Sequence, residues 1–485
     1  MKRFFLTGIL IFISVFSFAQ SFGFGDEEEG ENSSFEIIFG GEISVGPTLY
    51  INDLKNLEEN ELFSIGDFIS AYTTLEISGA NAQGFIAFNL SYSAFEEFKI
   101  EHDPLYPPSI LDEVWLKGYF GKFTLGAGLM KLRWGRMYSP GPLDVVNPLD
   151  YTDLTSLTEP MDMKIARPMI HASLKTGDFS NIEAVFLPNF APHRFAMAGR
   201  WMPEQLSNIT SYVRQEIGAY ISQTLPPFFI PPELLSMLEN SQDSFQNYFF
   251  NALFPDTSTS DFFQAGLRFN TVIGSCDFGL QYFYGNCFRP SVLLNENGID
   301  DFIVSGGTSG APFNIEYSRY HQIGIDYSQV LFSFTLRAEA AIFITSDLDG
   351  SNGNVKNPFV SWALGFDRDI FAGINLNLQC NETIRLFNDR IIDDSTLDCE
   401  AGTEMTSTRL ILRLSKNFLR DKLETTLVGI YDIEDNGFCF LPSIAWIIND
   451  VRIQIAAGFF AGDENSELGY YRDNTYVKLK MVYSF

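Results

Sequence analysis

The chain has 485 residues, of which 46% are hydrophobic, 15% aromatic and 19% charged, with a formal net charge of −29. So low a charged fraction argues against disorder, and so acidic a total excludes the chain as a whole from nucleic-acid binding. Past the first twenty positions no apolar run approaches the ~18 residues of a membrane-spanning helix, which excludes an α-helical membrane protein.

The N-terminus reads as a secretory signal. Lys2 and Arg3 precede an apolar core over 4–18, and Ser17, Phe18 and Ala19 match a cleavage site after Ala19. The expected organisation is a signal peptide over 1–19, an acidic segment over 20–34 and one β-barrel over 35–485. The five cysteines (Cys276, Cys287, Cys380, Cys399, Cys439) show no metal-type spacing and read as small apolar residues.

From 35 onward, segments of about ten to fourteen residues alternate apolar with polar or small side chains. Over 372–381, Ala372, Ile374, Leu376, Leu378 and Cys380 share one face, and Asn375, Asn377, Gln379 and Asn381 the other. Over 331–343, Phe332, Phe334, Leu336, Ala338, Ala340 and Ile342 oppose Ser333, Thr335, Arg337 and Glu339. Connections alternate too: short turns near 81–84, 121–122, 177–178, 273–275, 328–329 and 449–450 interleave with long polar loops, 135–162 among them. Long loops confined to one end are the mark of a barrel inserted from the periplasm. The prediction is an all-β, transmembrane antiparallel β-barrel of about 18 strands (16–20), closed because an open edge in hydrocarbon would leave backbone groups unpaired.

The connection over 188–260 differs in kind. Segments 203–223 and 232–253 look like amphipathic helices, which predicts either a lid or inward-folded plug or an exposed surface loop.

Basic residues are scarce and therefore informative. In 126–134, Gly126, Gly128, Met130, Leu132 and Trp134 read as lipid-facing, which turns Lys131 and Arg133 inward. In the next strand Ala166, Pro168, Ile170, Ala172 and Leu174 read outward, leaving Arg167, His171 and Lys175 inward. Arg337, Arg409 and Arg413 fall inward by the same parity. These eight are the candidate lumen residues, either as a charge-selecting wall or as partners of lumen acids such as Glu113, Glu339 and Glu424. Asp150, Asp153 and Asp162 read as a solvated loop, so no metal is expected. Neither a Gly-x-Ser-x-Gly elbow nor a His-Glu-x-x-His pair occurs, and no enzyme and no cofactor is predicted. The last strand puts Leu479, Met481, Tyr483 and Phe485 on one side, which resembles the C-terminal signal read by the barrel assembly machinery.

The most distinctive stretch is Lys131-Leu132-Arg133-Trp134-Gly135, then Asp144-Val145-Val146-Asn147-Pro148-Leu149-Asp150, then Lys164-Ile165-Ala166-Arg167-Pro168. This block resembles uncharacterised porin-like outer-membrane barrels of Gram-negative and spirochaete-type bacteria. The resemblance implies location and a channel role but no substrate. Trp134, Asn147, Pro148 and Asp150 form a candidate loop-pinning motif, since Pro148 fixes φ while Asn147 and Asp150 can bond local backbone. The expected function is a porin-like channel passing small solutes through a polar lumen, with outer-membrane lipids as partners. The alternatives are a structural or adhesive surface barrel and a gated uptake channel for hydrophobic compounds.

Overall fold

The computed structural model describes residues 36–52, 63–64, 69–91, 110–160, 162–197, 199–208, 255–295, 298, 301 and 313–485. Segment 1–34 and most of 203–253, with the predicted signal and helices, lie outside the described residues. Eighteen wall strands follow in chain order. They are β1 (Glu36–Val45, continued by Thr48–Tyr50), β2 (Phe63–Ser64 and Ile69–Ser78), β3 (Ala82–Ser91), β4 (Leu111–Phe120), β5 (Phe123–Met130) and β6 (Arg167–Lys175). Next come β7 (Ser180–Leu187), β8 (Gln264–Ile273), β9 (Cys276–Asn286), β10 (Arg319–Leu331), β11 (Phe334–Thr345) and β12 (Phe359–Asp369). The circuit ends with β13 (Asn375–Arg385), β14 (Thr406–Phe418), β15 (Leu423–Asp432), β16 (Gly437–Ile448), β17 (Val451–Gly462) and β18 (Tyr476–Ser484).

Each strand pairs antiparallel with its chain neighbours, and β1 closes the ring on β18 from Glu42 opposite Ser484 to Val45 opposite Met481. Closure runs to the last residue, because Phe485 and Gly41 exchange backbone hydrogen bonds of 3.0 and 3.1 Å. Among the described wall strands none is left with an open edge, as the sequence pattern required. The long connections lie at one end, the outer end. At the other end, hairpins turn through left-handed backbone at Gly121 (φ 63°) and Gly274 (φ 65°).

Two strand limits differ from the periodicity. The turn expected at 328–329 lies at Phe332 and Ser333, because apolar Val330 and Leu331 extend β10. That strand begins at Arg319 rather than near 314, since Phe313–Glu316 pairs with Ser291–Leu294 in a separate ribbon.

Outside, the wall is apolar: Leu267, Leu280, Ile323, Ile325, Leu364, Leu378, Leu412, Ile455, Leu479, Met481 and Tyr483 all stand exposed. Inside, the alternate positions build two apolar clusters. One gathers Met130, Trp134, Leu143, Val146, Met169, Val185, Phe283, Tyr320 and Phe343; the other Tyr50, Leu154, Trp201, Ile411, Val428, Leu441, Phe460, Tyr471 and Tyr476.

These clusters correct one facing. Met130 and Trp134 are 1% and 2% exposed, on the inner side, while Phe123 and Leu125 take the outward register of β5. The Gly126, Gly128, Met130, Leu132, Trp134 set is therefore not a lipid face. Ala166, also read as outward, is buried just before β6. Beside β5 the lumen holds packed protein rather than water, so the inner face there is apolar too.

Candidate functional site

The filling is the connection between β5 and β6, residues 131–166, which turns down into the barrel instead of standing on its outer end. Its neck is drawn together by Asn147. The Asn147 amide donates to the Met130 and Ile165 carbonyls (3.0 and 2.9 Å), and its oxygen accepts from the Leu132 N–H (2.8 Å). The Pro148 carbonyl accepts from the Ile165 N–H, while Asp150 bonds Thr152 and faces Arg194 at 3.6 Å. Lys164 adds a buried ion pair to Asp144 (2.5 Å) and a hydrogen bond to the Leu132 carbonyl. Trp134 wedges edge-on against Phe283 (6.0 Å).

Beyond the neck, strands on the opposite arc receive the segment. The Glu339 carboxylate of β11 accepts the backbone N–H groups of Arg136, Met137 (3.0 Å) and Leu143 (3.3 Å). Asp326 of β10 binds both Arg136 and Arg268. Gln281 donates to the Leu143 carbonyl, Gln322 to the Pro142 carbonyl, and Gln379 both accepts from and donates to the Ser139 backbone (3.1 Å each). Farther round, Arg413 lies over the Tyr138 ring at 5.1 Å, and Lys478 donates to Thr155.

Leu143, fully buried, contributes about 1.5–3 kcal/mol by leaving water. It fits because Gly324 offers no side chain: a Cβ there would overlap a Leu143 methyl. Gly324→Val should therefore unseat Leu143 and cost about 1–3 kcal/mol of overpacking. Faster hydrogen exchange over 136–143, with strand protection intact, would register it.

Most of the predicted lumen cations are engaged. Lys131 pairs with Asp112 (2.6 Å), His171 with Glu183 (3.4 Å) and Arg337 with Asp367 (3.9 Å). Arg167, 1% exposed, donates to Asn189, and Lys175 stands exposed near the inner-end turn. Arg133 is exposed, donates to the Met137 carbonyl and has no ion-pair partner among the described residues. It faces a cavity of about 340 Å³ beneath the segment, also lined by Arg136, Arg268, Glu183, Asn270 and Asp277. The acceptors Glu339 and Asp326 and the donors Gln281, Gln322 and Gln379 were missed as a group. The available signal was the recurrence of amides and acids in the inward register of four strands, β9, β10, β11 and β13.

The outer mouth is packed as well. Glu467, in the β17–β18 connection, bridges Arg289 (2.5 Å) of the β9–β10 connection and Arg409 (3.1 Å) of β14; Arg409 also holds Asp432. Arg289 holds the Glu467 carboxyl down at about 2. Beside it, His193 accepts from the Leu149 N–H (2.9 Å) and packs on Phe288 and Tyr151. Burial, with Arg289 adding to it, pushes the His193 imidazole down to about 3.

An apolar ring with a polar, partly filled interior is the architecture of an outer-membrane β-barrel carrying an inward-folded constriction segment. No protein-family model and no curated protein matches the chain. Among solved structures it is similar to a BenF-like porin from Pseudomonas fluorescens Pf-5 (8% identity, TM-score 0.47, 94% of this chain and 99% of that one). It is also similar to OccK3 (OpdO) of Pseudomonas aeruginosa (6%, 0.46, 93% and 96%). A third is Wzi of Escherichia coli, a carbohydrate-binding β-barrel involved in group 1 capsule assembly (9%, 0.44, 92% and 84%).

Proposed function

We propose that the chain is a bacterial outer-membrane, porin-like channel for small polar solutes, narrowed by residues 131–166. One observation carries this reading: the ring closes with an apolar exterior, while its interior keeps a polar cavity of about 340 Å³ under the folded-in segment. The resemblance of residues 131–168 to uncharacterised porin-like barrels supports this reading, and the exposed Leu479, Met481, Tyr483 and Phe485 fit the C-terminal signal read by the assembly machinery. Purified, folded protein in planar bilayers should give discrete conductance steps. Their absence would favour a structural or adhesive barrel.

Within this reading Arg133 is the lumen cation that biases selectivity, since Arg136, Arg268, Glu183 and Asp277, the other charges lining the cavity, each have an ion-pair partner. Arg133→Glu should move the reversal potential in a KCl gradient toward cations. The shift should fade near 1 M salt, where screening acts within about 3 Å. An unchanged reversal potential at low salt would remove Arg133 from the path.

A further inference from the structure

Cations turned outward on a barrel wall are costly at the bilayer midplane and cost little near its surfaces. On the outer half of this wall such a place exists at the start of β10. Tyr320 and Gln322 point inward and are buried, so Arg319 and His321 take the outward register. The Arg319 guanidinium lies over Tyr284 (4.7 Å) and Phe263 (5.5 Å). It donates to the backbone carbonyls of Phe263 (2.8 Å) and Asp261, and has no ion pair among the described residues. Those neutral acceptors and rings fix the fork without cancelling its charge. His321 is exposed and shares a 2.8 Å hydrogen bond between Nδ1 and the Tyr282 hydroxyl, which leaves Nε2 for another partner.

Height and surroundings say what that partner is. Phe186, Phe263 and Tyr282 form an exposed aromatic belt around the pair, and apolar Leu280, Ile323 and Ile325 lie directly below. Aromatic belts of this kind mark the headgroup level. Farther round at the same end, the outward register carries acid instead, with Glu382 opposite Trp362 and Thr408, and Glu434 bound to Thr408. The positive patch is thus local.

We propose that Arg319 and His321, steadied by Tyr282, Tyr284 and Phe263, bind the phosphate of an anionic outer-leaflet lipid. The proposal rests on the membrane reading above. The test uses the full chain, with folding and insertion first established by heat-modifiable migration and β-type circular dichroism. Failure at that stage overturns the membrane reading itself. Inserted protein is then incubated with diphosphoryl lipid A, exchanged into neutral detergent, and retained lipid is counted by native mass spectrometry. Wild type should retain lipid A, and Arg319→Gln/His321→Gln should retain about ten-fold less, the loss of one charge-assisted hydrogen bond or more. Arg368→Gln/Lys416→Gln, at the opposite rim, should match wild type. Should the double variant fold poorly, Tyr282→Phe alone should still lower retention. Undiminished retention in either folded variant, or displacement of lipid A by millimolar inorganic phosphate, would overturn the proposal.

Discussion

Replacing Glu339 with alanine should raise single-channel conductance several-fold while leaving the barrel closed. Glu339 is 3% exposed, and its carboxylate takes three backbone N–H groups from residues 136–143. Hydrogen bonds to a charged acceptor contribute about 1.5–3 kcal/mol each, and removing the acceptor strands its donors. That cost falls on the inward segment, because the β10–β11–β12 ladders do not use the carboxylate. Leu143 and the glutamine contacts would keep the segment near the wall, so partial release is expected rather than ejection. Glu339→Gln keeps the shape but not the charge, and its amide N–H₂ faces donors; its conductance should fall between wild type and alanine. Faster exchange over 136–143 with unchanged conductance would show that the segment does not limit the current.

The same residue shows what the sequence does and does not reveal. Strands are legible wherever lipid lies on one side and water or polar protein on the other, as in 331–343, 372–381 and β18. There one register is apolar throughout and faces lipid, even where the other adds a buried Phe343 or Tyr476, and the expected strand number, 18, is the number found. Residues 123–134 break that logic. Phe123 and Leu125 face out, yet Met130 and Trp134 are also apolar and face a protein core. A stretch apolar in both registers signals burial on both sides, and that signal was available. What lay beyond reach was the partner: nothing near Glu339 in sequence points to residues 136–143, about two hundred positions earlier. Asn147 is the intermediate case. Its role in local bonding follows from Asn-Pro chemistry, but the carbonyls it ties, Met130 and Ile165, become neighbours only once the segment folds inward.

Acid should loosen the outer mouth in two stages. His193 and Glu467 both sit in connections outside the wall strands, and in each the folded pKa lies below its ordinary value. For such groups, stability is present above the ordinary pKa and is lost as pH falls toward the folded one. His193 therefore begins to favour the open arrangement below about 6.5, the free imidazole value, and does so fully by its folded value of about 3. Protonation there places a cation beside Arg289 and Lys356, with only Glu467 to oppose them. Glu467 adds its own loss from 4.5 down to about 2, as the carboxylate bridging Arg289 and Arg409 is neutralised. Hydrogen exchange over 463–474 and 190–197, or protease access to those connections, should rise in both windows. Glu467→Gln should be open already at pH 7 and respond only to the His193 stage; His193→Gln should keep only the lower one. If the wild-type connections kept the same protection from pH 7 to pH 3, the bridge would not be what holds the mouth shut, and the ring packing of Tyr151, Phe195 and Phe288 would have to carry it alone.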